Sequence, residues 1–117
     1  NLHKAKLTTS NLSAADLTAS DFREVDLNGA NLRGSDSRAT DFWKANLKEA
    51  ILRNADLREA NLWGVDLTLA DMRGANLSYT DLGSANLMGA DTRAARFESA
   101  TFCNTKMPSQ EMNQSGC

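Results

Sequence analysis

His3, Cys103 and Cys117 are the side chains best suited to nucleophilic or metal chemistry, and their spacing argues against both. A Ser-His-Asp or Cys-His arrangement needs an imidazole beside its nucleophile. The one histidine stands near the start of the chain and the two cysteines near its end. Zinc ligation would call for paired cysteines at short spacing or further histidines; there is no Cys-x-x-Cys. Phosphate-binding, dinucleotide-binding and EF-hand signatures are absent from the sequence as well. The expectation is no catalytic site, no metal and no cofactor. The cysteines leave two readings open. A Cys103–Cys117 disulfide would pin the C-terminal residues and imply an oxidising compartment, stabilising by roughly 3 kcal/mol in the chain-entropy model. Two free thiols would suit the cytoplasm.

Carboxylates are plentiful, yet all ten aspartates occupy one periodic position, which points to structural repetition. A five-residue phrase runs from Leu2 to Met107 without insertion or deletion. Of its 22 central residues 14 are Leu, four Phe and two Met, with Ser37 and Thr92 the misfits. Two residues earlier stands Ala, Ser, Thr or Val, and one residue earlier Asp or Asn in 17 of 22 cases. A helix cannot use this period, because five residues advance ~500° and the leucines would wrap every side. A long strand cannot use it either, because an odd period sends successive leucines to opposite faces.

A short strand-like segment followed by a bend does fit. The small residue and the centre then point inward, and the Asp or Asn between them points out. Gly29, Gly34, Gly64, Gly74 and Gly89 fall two residues after a centre, where a bend needing positive φ is expected; Gly83 falls one residue earlier. Features recurring every 20 residues, such as Phe22 and Phe42 or Asp16, Asp36 and Asp56, predict four phrases per coil and about five coils. With strand spacing of ~4.8 Å the rod would be roughly 25 Å tall. Its core would hold Leu27, Leu32, Phe42, Leu47, Leu52, Leu57, Leu62, Leu67, Met72 and Leu77. Phe22 and Phe97 are expected to lean into the space left by Ser37 and Thr92.

The outward positions offer the candidate interaction surface. Arg33, Arg53, Arg73 and Arg93 should form a ladder on one face, and Trp43 and Trp63 should stack. Each can be a partner site or a structural ladder; exposed aromatics are enriched at interfaces. Ile51, Leu69, Tyr79 and Met88 are also outward but too scattered to form a patch. The net charge of −2 gives no general attraction to nucleic acid or anionic membrane, and no apolar run approaches the ~18 residues of a membrane span.

The tandem Ala-(Asp/Asn)-Leu-x-x phrase resembles the pentapeptide-repeat family, over some nine-tenths of the chain. The resemblance implies an all-β fold, a right-handed quadrilateral β-helix at residues 1–107, with a capping tail at 108–117. The ending "FCNTKMPSQEMNQSGC" is similar to the tails of cyanobacterial and chloroplast-lumen members, in which two cysteines close the C-terminal end. The function so implied is a non-enzymatic structural or protein-interaction role with an unidentified protein partner. The expected state is a monomer in the periplasm or thylakoid lumen, with the cytoplasm as the alternative. Another branch of the family binds DNA gyrase by resembling duplex DNA; the short rod and interleaved Arg and Asp fit that reading poorly.

Overall fold

The computed structural model describes residues 1–109 and 111–117; Gln110, within the expected tail, lies outside the described residues. Parallel bridges join residues 20 apart, from Lys6 with Asp26 to Asn86 with Lys106. The coil therefore has four sides of five residues each, and the overall extents are 31 × 23 × 20 Å.

One phrase, Ala55 to Glu59, accounts for all five of its backbone N–H groups. Asp56 N–H donates to the Ser35 carbonyl of the preceding coil (2.9 Å), while Leu57 and Glu59 donate to Asn76 and Ser78 of the next (2.8 and 3.1 Å). Ala60 N–H closes the turn onto the Leu57 carbonyl at 3.1 Å, as Ala55 N–H does onto Leu52. The remaining N–H, that of Arg58, donates to Asp56 Oδ1 at 3.2 Å. The Asx residue thus has a backbone task. It accepts from the one amide that neither the ladder nor the turn can satisfy. With a turn every five residues, each side has room for one bridged residue and no long strand.

All 21 corner residues from Lys4 to Asn104 have positive φ, and 16 of them are not glycine. An L-residue there costs about 1–2 kcal/mol. Leu69 and Tyr79 are held in that conformation because the amide at the corner and those on either side of it are each fixed by a hydrogen bond.

The ten expected core centres are fully buried, each at 0% exposure. Each such side chain contributes ~1.5–3 kcal/mol in transfer terms, and the shared core lets stacked coils offset an ordering entropy that one coil could not. Phe22 lies flat on Phe42 one coil later, ring centroids 5.5 Å apart. Ser37 is buried with its hydroxyl 3.0 Å from that of Ser35. Thr40 and Thr105, buried at small-residue positions, send their hydroxyls to carbonyls of the preceding coil, those of Leu17 and Leu82, at 2.7 Å. Among the described residues no buried side-chain polar atom lacks a partner.

At the C-terminal end, strand β1 (Thr105–Lys106) pairs antiparallel with β2 (Met112–Asn113). Phe102 N–H donates to Ser115 carbonyl at 2.6 Å and Met107 N–H to Glu111 carbonyl at 2.8 Å. The returning chain thereby covers part of an edge that would otherwise expose unpaired amides. Cys103 and Cys117 form a disulfide, with Cα atoms 4.7 Å apart, so the free-thiol reading is not the one the structure adopts.

Candidate interaction surface

The outward side chains sort into columns, because each coil presents the same phrase position over the one below. The Asx residues come first. All 17 of those in the repeat accept the N–H of the residue two ahead, as Asn61 does from Trp63 and Asp66 from Thr68. Neighbouring coils also bond through them, Asn46 Nδ2 to Asp26 Oδ1 at 3.2 Å and Asn61 Nδ2 to Asp41 Oδ1 at 3.0 Å.

Where Asx is Asp and the residue two ahead is Arg, the guanidinium folds back as a fork onto the same carboxylate. Arg38 reaches Asp36 with Nε at 2.8 Å and Nη2 at 2.7 Å. Arg73 reaches Asp71 at 2.8 and 2.6 Å. Arg23, Arg58 and Arg93 do the same with Asp21, Asp56 and Asp91. Three of the five forks also face a carboxylate one coil on: Arg73 faces Asp91 at 3.7 Å, and Arg38 and Arg23 face Asp56 and Asp41 at 3.9 Å. The hydrogen bonds from Arg38 and Arg93 bring the carboxyls of Asp36 and Asp91 down to about 2, and the side-chain bond from Arg23 lowers that of Asp21 further. Asp-x-Arg spacing was the signal for these forks in the sequence.

The arginine ladder is therefore not uniform. Arg73 and Arg93 are held by Asp71 and Asp91. Arg53 has only Asp71 at 3.9 Å, and Arg33 makes no ion pair among the described residues. Arg53, Arg73 and Arg93, with Asn54, Gly74 and Ala94 at the corner, line a shallow open groove of about 320 Å³.

On the side opposite the arginine ladder, two corners away, the indoles of Trp43 and Trp63 stack with centroids 6.2 Å apart and planes 14° from parallel. Lys44, which the sequence did not single out, places Nζ 4.4 Å from the Trp43 ring centroid and 5.8 Å from that of Trp63. Its stem lies over Gly64, where an added Cβ would stand 3.1 Å from Lys44 Cγ. His3 meets Glu24 of the next coil at 3.1 Å, both part exposed, and makes no second ion pair among the described residues. No three His, Cys, Asp or Glu side chains among the described residues converge as a metal site, and no helix is long and apolar enough to cross a membrane.

Comparison with known proteins agrees with this architecture. The family described as "Pentapeptide repeats" matches eight copies over residues 1–36, 38–74 and 70–107. Among solved structures, a pentapeptide repeat protein from the thylakoid lumen of Arabidopsis thaliana is similar at 34% identity with a TM-score of 0.76, over 78% of this chain and 63% of that one. The pentapeptide repeat protein Rfr23 of the cyanobacterium Cyanothece 51142 is similar at 32% identity with a TM-score of 0.64, over 86% of this chain and 63% of its own. The chain thus spans less than two-thirds of the length of either. Comparison with curated proteins gives no match.

Proposed function

Because the chain belongs to the pentapeptide-repeat family, whose fold is a right-handed quadrilateral β-helix, we propose that it is a non-enzymatic interaction scaffold of an oxidising compartment. The periplasm or the thylakoid lumen is the compartment meant, and the working form is a monomer. Residues 1–107 supply the rigid surface and residues 108–117 close its end. The observation that carries the reading is the Cys103–Cys117 disulfide, which ties the chain terminus to the last coil. Disulfides persist in oxidising compartments and are rare where thiols are kept reduced. One similar structure is named as a lumen protein, which supports the same assignment.

The surface supports the scaffold role. Many of its arginines are spent on aspartates, in forks within a phrase and in longer pairs between coils, and the alternation breaks up the acidic surface that a duplex mimic would need. The stacked Trp43 and Trp63 offer a rigid aromatic pair at low ordering entropy, as interface anchors do. Intact mass of freshly isolated protein, before and after thiol alkylation, tests the compartment. An unalkylated mass is the expected result; two alkylated cysteines would overturn the exported reading.

A further inference from the structure

Between Asn11 and Asp91 the position before each centre is Asp or Asn at 16 of 17 phrases, and the exception is Ile51. The exception has consequences on three levels. The N–H of Arg53 loses the acceptor that every other phrase in this stretch supplies. A large apolar side chain is 37% exposed where a polar one would sit. Arg53 also lacks the carboxylate fork that restrains Arg73 and Arg93. One coil earlier Asn31 caps the Arg33 N–H at 3.0 Å but brings no charge, so Arg33 has no fork either; Arg53 keeps only the Asp71 carboxylate of the next coil at 3.9 Å. Where every local rule but one is kept, the breach is where function is expected.

The face around Ile51 is also unlike the rest of the surface in charge. Its column holds four arginines, Arg33, Arg53, Arg73 and Arg93, against two aspartates, Asp71 and Asp91, in a chain whose net charge is −2. The corner beside it, Gly34, Asn54, Gly74 and Ala94, carries neither charge nor large side chains, and the shallow groove starts next to Ile51 at Arg53 and Asn54 and runs on to Arg93 and Ala94. Guanidiniums that no carboxylate holds in a fork suit incoming carboxylates, which they bind through two parallel N–H bonds.

We propose that this face is a docking site for an extended acidic segment of a partner protein. Carboxylates of that segment pair with Arg33 and Arg53, and an apolar side chain rests on Ile51. The proposal rests on the scaffold reading above and names the class of partner that one face takes.

The test is a ¹H–¹⁵N titration of the intact, disulfide-bonded protein with the peptide Gly-Glu-Glu-Leu-Glu-Glu-Gly, its Glu-to-Gln counterpart and a single-stranded oligodeoxynucleotide. The acidic peptide should move the amides of Arg33, Ile51 and Arg53 and the Nε–H signals of both arginines, and the Gln peptide should not. Ile51→Asp restores both the amide acceptor and a carboxylate fork. It should raise the melting temperature, which reports that the cap and the fork have formed, while weakening the peptide at least tenfold; a purely structural role for Ile51 would leave peptide binding unchanged. Arg33→Gln with Arg53→Gln should weaken binding equally; Arg38→Gln with Arg58→Gln should not. Unchanged binding by Ile51→Asp, equal binding of the Gln peptide, or tighter binding of the oligonucleotide at the same residues overturns the proposal. Peptide shifts confined to Trp43 and Trp63 overturn this face while leaving the scaffold reading standing.

Discussion

The indole of Trp63 lies on the backbone of Gly83, one coil later in the same column. A Cβ at Gly83 would stand 2.7 Å from Trp63 Cδ1 and 3.0 Å from its Nε1. This glycine differs from those at the corners, since its φ is not positive. It is small to admit a ring, not to permit a turn, which is why it falls one residue earlier in the phrase.

Gly83→Ala should therefore cost about 1–3 kcal/mol, the usual range for overpacking. A rigid ring cannot yield as a flexible chain end would, so Trp63 must tilt off Trp43 and away from Lys44. Chemical denaturation would show the lower stability and tryptophan emission the altered stack. Stability and emission both matching the parent would show that the indole does not occupy that site in solution. Gly34→Ala serves as a contrast, because no atom stands within 4 Å of an added Cβ there and only its left-handed backbone resists.

The stacked core makes a graded prediction. Leu57→Ala, at a fully buried centre, should cost about 2–5 kcal/mol. Leu2→Ala, at a centre 41% exposed on the first coil, should cost well under half as much. Urea melts of the two variants check this, and equal losses would contradict a core that runs along the axis.

The period of five exposed the architecture because two residue types were pinned by opposite demands. Leu57 must face the axis in every coil, and Asp56 beside it must cap an amide on the outside, so neither can drift. The corners were less legible. Gly64 and Gly74 advertise positive φ, whereas Leu69 and Tyr79 adopt it with side chains that disfavour it, because the surrounding hydrogen bonds impose it. The Trp43–Trp63 stack followed from a spacing of 20, but Lys44 over it depends on a side-chain path that spacing does not encode. The arginine column read as one ladder with Asp71 and Asp91 on the same face; the paired distances show those two carboxylates folded into forks with Arg73 and Arg93, which leaves Arg33 and Arg53 without one.

Acid sensitivity follows from the forks. The carboxyls of Asp36 and Asp91 fall from an ordinary 3.8 to about 2 in the folded chain because Arg38 and Arg93 hydrogen-bond them. Between those values the unfolded chain binds more protons than the folded one, so stability rises with pH there. The contribution is full above about pH 4 and is lost as the pH falls towards 2. Melting temperature measured from pH 7 to 2 should stay level and then drop in that window. Arg38→Gln with Arg93→Gln should start lower and drop less, so that the two curves converge in acid; parallel curves would remove these forks as the cause.

The disulfide should act on one end of the rod and not on the whole of it. A solenoid is held by contacts between neighbouring coils, and the loop closed by Cys103 and Cys117 contains only the last phrase and the returning chain. Cutting it by Cys117→Ser removes roughly 3 kcal/mol of restraint in the chain-entropy model, which falls on the amides the returning chain protects. Those are Phe102, donating to Ser115, Met107, donating to Glu111, and Asn104, donating to Gln114 Oε1 at 3.1 Å. Hydrogen exchange should speed up at these three and leave Leu57 and Leu62 close to the parent, since their acceptors are the carbonyls of Asn76 and Asp81 and not the tail. A uniform gain in exchange along the chain would mean that the solenoid opens as one unit, and that the tail holds all five coils together.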